Sequence, residues 1–346
     1  MTAHEGTSDR YLMISADCHA APKLDDVRHY VDPKWRGAFD DWRRRLADSK
    51  DGGRLGEPLF DEQAREDFHQ AAQVDDGAMD GIWDSDRRLR ELRADGVVAE
   101  VIFPGGATTP DGEAGSLPFD VGIATYQYEQ DPALWQAGPP AYHDPRYEPL
   151  WAACAELEMP VHTHSGWTPD FGGHPGSAGI FLSEIIYWAH RPFWFMVWSG
   201  AFERHPALRL VMTEQKAEWI LDTLALMDSR YELAMFAQLR KSLPMKPSEY
   251  YRRQCYLGAS YMDEGEWDAR HALGVDRLVW GSDYPHLEGS WPHTIERLGQ
   301  TFKDVPRDEV AKMIGLTAAE LYGFDLDSLW TLAAEHGPML DRIGSS

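Results

Sequence analysis

Four short apolar runs in this 346-residue chain each end in a histidine or a carboxylate, and that recurrence limits the folds open to it. Residues 11–16 lead into Asp17-Cys18-His19 and 159–161 into His162-Thr163-His164; 208–213 lead into Glu214 and 277–282 into Asp283-Tyr284-Pro285-His286. In an α/β barrel the carboxyl ends of the parallel strands open on one mouth, so polar side chains distant in sequence meet there. Residues i and i+2 of a strand share a side, which lets Asp17 with His19, and His162 with His164, point inward as pairs. Asp17, His19, His162, His164, Glu214, Asp283 and His286 then offer seven nitrogen and oxygen ligands, enough for two metal ions. Asp17 and His19 have a plainer reading as a buried hydrogen-bonded pair. A carboxylate at the inner end of an apolar strand is costly unless paired or metal-bound, so Asp17 and Asp283 favour a metal. His162 and His286 read equally as ligands or as partners that orient ligands. Glu214 reads as a ligand, with a salt bridge to Lys216 or Arg209 as the plainer reading.

Apolar runs of strand length alternate with stretches of helical spacing. Helices are predicted over 84–94, 151–158 and 217–235, and strands over 12–16, 97–103, 159–164, 208–213, 254–259 and 278–281. Strand and helix in alternation indicate a parallel sheet, and ligands at the strand ends favour a TIM (β/α)8-like barrel over an open sheet. Two regions depart from the pattern. Residues 25–80 read as an insertion after the first strand that folds over the barrel mouth. The Gly- and Pro-rich stretch 105–149 holds only a weak strand at 121–126, so one strand is missing or irregular there, since a βαβ unit needs about 30 residues. With no internal repeat or linker, residues 1–346 read as one domain.

Charge and cysteine usage exclude several classes. Lys and Arg total 33 against 57 Asp and Glu, a net charge of −24, which argues against nucleic acid or an anionic membrane as partner. Cys18, Cys154 and Cys255 are far apart and suit a reducing cytosol. The polar amino terminus and the lack of a long apolar segment predict a cytoplasmic protein.

The segments Asp17-Cys18-His19, Pro160 through Gly166, His205 through Glu214, and Trp280 through His286 resemble the amidohydrolase-related TIM-barrel family that includes aminocarboxymuconate semialdehyde decarboxylase and the resorcylate decarboxylases. The resemblance covers about residues 10 to 325. That family usually has His-x-His on the first strand, a His on the fifth, a His on the sixth and an Asp on the eighth. Here Asp17 replaces the first His, as decarboxylases of the family tolerate, and Glu214 replaces the sixth-strand His. That pattern most resembles the family's nonheme diiron monooxygenases, typified by the hydroxylase of platensimycin and platencin diterpenoid biosynthesis.

The resemblance implies two iron ions, with zinc or manganese as alternatives, and dioxygen as co-substrate. It also implies an external electron donor and a hydrophobic coenzyme A-linked acid hydroxylated at an aliphatic carbon. Asp17, His19, His164, Glu214 and Asp283 would carry the chemistry. The alternative is a metal-dependent hydrolase or decarboxylase. Trp188 and Trp194, in the aromatic run 187–198, are candidates to line an apolar pocket, although barrel packing or a subunit contact in a homo-oligomer is the plainer reading. Arg240, Lys241, Arg252 and Arg253 form a basic stretch that could hold coenzyme A phosphates, with a solvated helix face as the plainer reading.

Overall fold

Parallel strands of alternating apolar residues build the core of the fold. A computed structural model describes residues 9–22, 24–48, 78–104, 141–165, 174–259, 262, 264–286 and 289–345. Strand β1 (Ile14–Ala20) pairs with β2 (Ala99–Pro104), and β3 (Val161–His164), β4 (Leu210–Thr213), β5 (Cys255–Ala259) and β6 (Leu278–Trp280) pair in that order, all parallel. The segment leaving β6 joins the two sets. Asp283 N–H donates to the Asp17 carbonyl at 2.8 Å and His19 N–H to the Tyr284 carbonyl at 2.7 Å.

The spatial order is therefore β2-β1-β6-β5-β4-β3, and its two outer strands approach one another. The Phe103 ring on β2 lies 5.1 Å from that of His162 and 4.9 Å from that of His164, both on β3. An array whose ends meet is curved, and the fold is the α/β, TIM-barrel-like one that the sequence predicts. The weak strand at 121–126 lies outside the described residues, as do most of 105–149 and residues 49–77 of the expected insertion. The described part of that insertion includes helices α1 (Leu24–Tyr30) and α2 (Arg36–Asp48).

Further along the chain, helices include α3 (Ser85–Ala94), α4 (Glu148–Glu156), α5 (Tyr187–Trp198), α6 (Glu218–Tyr231), α7 (Pro247–Gln254), α8 (Thr294–Thr301), α9 (Thr317–Tyr322) and α10 (Leu326–His336). Asp84 starts α3 by accepting the Asp86 and Arg87 N–H groups, each at 3.0 Å, which satisfies two donors that the first turn cannot. Helix α6 stops at Tyr231, short of the predicted 235, because Arg240 donates to the carbonyls of Tyr231 and Leu233 at its end.

Alternation gives the strands two faces. Leu210 and Met212, Cys255 and Leu257, and Leu278 and Trp280 pack with Phe193, Ile220 and Tyr251 of the surrounding helices. Val211, Val279, Leu12, Ile14 and Ala16 pack instead with Ala318, Ala319, Leu329 and Ala333 of the C-terminal helices. His162 and His164 share this second face, because Val161 belongs to the first. Met13, just before β1, and Cys18 within it both join the outer cluster, although strict alternation would place them on opposite faces. A bulge resolves this: pairing with β2 shifts register between Ser15 and Cys18. The extra residue reverses the phase, so Ala16 and Asp17 both face inward and His19 follows.

Candidate metal centre

Asp17, His19 and His164 each bring one ligand atom to a group whose members lie within 4.8 Å of one another. Asp17 Oδ1 is 3.3 Å from His164 Nε2 and 3.7 Å from His19 Nε2. Asp283 stands beside them, its Oδ1 3.1 Å from His19 Nε2 and its Oδ2 3.2 Å from His286 Nδ1. Asp17 and Asp283 are fully buried and His19 nearly so. Two imidazoles and two carboxylates in a dry, anionic recess make a chemically suitable cage for a divalent cation of the manganese, iron or zinc type. Cys18 adds no thiolate, for its Sγ turns outward to Ser15 Oγ at 3.1 Å and burial pushes the thiol pKa up.

The charge balance is visible at His164. Burial alone would lower its pKa, but the Asp17 and Glu214 carboxylates outweigh burial and hold it up at about 9. His162 behaves in the opposite way. Burial, with His164 beside it, lowers it to about 4, so the ring is neutral near pH 7. His162 Nδ1 bonds Thr213 Oγ1 at 3.1 Å, and its ring stacks on Tyr322 with 5.7 Å between centroids.

Glu214 lies on the other side of His164 from Asp17. Its Oε2 is 3.3 Å from His164 Nδ1 and accepts the Ser165 hydroxyl. Glu214 and Asp283 have φ of 54° and 56°, the left-handed region that non-glycine residues seldom occupy and that clusters at functional sites. Thus the structure gathers all seven predicted residues at one end of the strands. Asp17, His19 and His164 share one ligand group, with Asp283 and His286 on the His19 side and Glu214 and His162 further along β3 and β4.

Residue-pattern reasoning missed Phe103, whose ring touches both β3 histidines, although it closes a predicted strand. It also missed Tyr322, which has no local signal because it reaches the site from the C-terminal helices. Arg88 on α3 was missed as well. It donates to the His19 carbonyl at 2.7 Å and to Glu100 Oε1 at 2.6 Å, and lies 4.9 Å from the Tyr284 ring centroid.

The residues expected to contact substrate stand apart from the cluster. Trp188 donates to Glu184 at 3.0 Å and stacks with Arg191, while Trp194 packs against the outer core, and their helix lies against β3 and β4 from outside. Arg252 donates to the Ala272 carbonyl and Arg253 to the Phe202 carbonyl, both just before the amino end of β5 and so opposite the site. Arg240 caps α6, and Lys241 is exposed in the same turn. Arg240, Arg252 and Arg253 thus each donate to a backbone carbonyl, away from the cluster.

The family described as Amidohydrolase matches residues 38–324. Among curated proteins, gamma-resorcylate decarboxylase of Rhodococcus jostii (strain RHA1) is 26% identical over 178 residues. That match spans 48% of this chain and 52% of the relative, about half of each. An amidohydrolase from Mycobacterium avium subsp. paratuberculosis K-10 superposes with a TM-score of 0.61 at 18% identity, covering 92% of this chain and 99% of the other. The manganese-bound 5-carboxyvanillate decarboxylase of Novosphingobium aromaticivorans DSM 12444 gives 0.50 at 14% identity, covering 92% and 99%. These relatives overturn the expectation of a diiron monooxygenase hydroxylating an aliphatic carbon. The curated relative is a decarboxylase, and two irons, an electron donor and a coenzyme A-linked substrate find no support. Among the described residues no helix is long and apolar enough to cross a membrane.

Proposed function

We infer the activity from the premise that this chain belongs to the amidohydrolase family matched over residues 38–324: it is a metal-dependent decarboxylase of a small hydroxylated aromatic acid. The observation that carries this reading is the buried group of Asp17, His19 and His164 at the strand ends. The decarboxylases among the relatives supply the reaction class. Residues 1–346 are taken as one catalytic unit.

Asp17, His19, His164 and Asp283 would hold a single divalent ion. When bound, the ion would neutralise the substrate carboxylate and a neighbouring hydroxyl. The bond between the ring carbon and its carboxylate breaks, carbon dioxide leaves, and the electron pair left on carbon takes up a proton. The step is redox-neutral. His286, with Nδ1 3.2 Å from Asp283 Oδ2 and more exposed than Asp283, is the group placed to supply that proton from its other ring nitrogen. His162, neutral and bonded to Thr213, is less suited to donate. Phe103, with the histidine rings it touches, offers the aromatic surface that a planar acid needs.

The test is turnover of 2-hydroxybenzoates, gamma-resorcylate first, by manganese-loaded protein with and without dioxygen. Carbon dioxide release at equal rates in both atmospheres, abolished in His19→Ala, is the expected result. Release that needs dioxygen, or amide or ester hydrolysis with no carbon dioxide formed, would overturn it.

A further inference from the structure

We propose that Glu214 is a positioning residue, whose carboxylate beside His164 Nδ1 favours the proton on that nitrogen and so presents the Nε2 lone pair to the ion, a role that rests on reading Asp17, His19 and His164 as ligands. His164 is bracketed by acceptors on both nitrogens. Its Nε2 faces Asp17 Oδ1 at 3.3 Å, while Nδ1 faces the Ser165 carbonyl at 2.7 Å and Glu214 Oε2 at 3.3 Å. A neutral imidazole carries one N–H. The Ser165 carbonyl bonded to Nδ1 and the Glu214 carboxylate beside it favour the proton there once a cation takes the Nε2 side, and the remaining lone pair then points toward Asp17 and His19.

Three further observations support this role. The Ser165 hydroxyl donates to the same Glu214 oxygen, which fixes the carboxylate against the ring. Glu214 adopts φ of 54°, held by its N–H donating to the Gly258 carbonyl at 2.8 Å. Strict alternation along β4 would turn the residue after Thr213 away from His164; the left-handed backbone brings it back. Finally, Arg209, one of the two plainer partners beside Lys216, directs its guanidinium to the carbonyls of Pro206 and Leu208. A carboxylate bonded to the outer nitrogen of a ligating histidine fixes tautomer and orientation and raises the basicity of the ligating nitrogen.

The experiment is Mn2+ titration calorimetry on full-length protein stripped of metal, together with 15N NMR of the His164 ring in the same proteins loaded with diamagnetic Zn2+, for wild type, Glu214→Gln, Glu214→Leu and Ser165→Ala. One ion per chain is expected in wild type. Glu214→Leu should keep that stoichiometry, lose about 10–100-fold in affinity and show a mixed His164 tautomer. Glu214→Gln, isosteric and still an acceptor, should lose affinity but keep the Nδ1–H tautomer, and it decides the matter if the Leu variant does not fold. Wild-type affinity and tautomer in the Glu214 variants would overturn the proposal. So would a fall from two ions to one, which would make Glu214 a ligand. A wild-type chain that takes up no Mn2+ overturns the metal reading itself, whereas the proposal fails separately if wild-type His164 is not an Nδ1–H tautomer.

Discussion

Asp95 shows how one buried carboxyl ties pH to stability away from the metal cluster. Its Oδ1 accepts the Thr294 N–H at 3.1 Å at the start of α8, but burial outweighs that bond and raises its pKa to about 6. The unfolded value is about 3.9. A folded pKa above the unfolded one means stability that is complete below the unfolded value and lost as pH rises through about 6. Asp95→Asn keeps the shape and the acceptor and removes the charge. The variant should gain up to about 3 kcal/mol near pH 7 and show a flatter stability profile between pH 4 and 7. Urea unfolding across that range checks it; equal gains at pH 4 and pH 7 would contradict the mechanism.

At the scale of elements, α3 clamps together the strands that carry the ligands. Arg88 is buried and reaches Glu100 on β2, the His19 carbonyl on β1 and the ring of Tyr284, the residue after Asp283. Tyr284 in turn donates to Glu91 of the same helix at 2.5 Å. Arg88→Met keeps much of the stem but leaves the Glu100 carboxylate without its buried guanidinium. The expected cost is about 3–5 kcal/mol, read as a lower urea midpoint. Pairing it with Glu100→Gln should recover part of that loss, and a double variant no more stable than the single would show that the ion pair is not the cause. The contact between β1 and β6 is equally close: a Cβ on Gly281 would stand 2.4 Å from that of Asp17, so only glycine permits this approach.

For the whole molecule, the converging carboxylates make the centre a site where folding and ion binding are coupled. An ion that binds only the folded chain stabilises it by about 2.7 kcal/mol at a hundred times its Kd. Adding Mn2+ to chelated protein should therefore raise Tm, and His19→Ala should abolish the rise while remaining folded. A rise of equal size in both would place the ion elsewhere.

Much of this was legible in the sequence. The apolar runs gave the strands, their spacing the helices, and the polar residues at their ends the place where a site forms, because periodicity and burial cost are local properties. The tertiary structure decided the rest. No local pattern marks the β1 bulge that turns Asp17 and His19 inward, since Leu12, Ile14 and Ala16 alternate with Tyr11 and Met13, which are apolar as well. Nor does any pattern show that Glu214 turns back to the outer nitrogen of His164, or that Arg240, Arg252 and Arg253 direct their donors to backbone carbonyls. Register shifts, left-handed turns and donor partners depend on which distant backbone lies within about 3 Å. Residue types and periodicity fix the candidates; the closed packing of the strands selects which atoms meet.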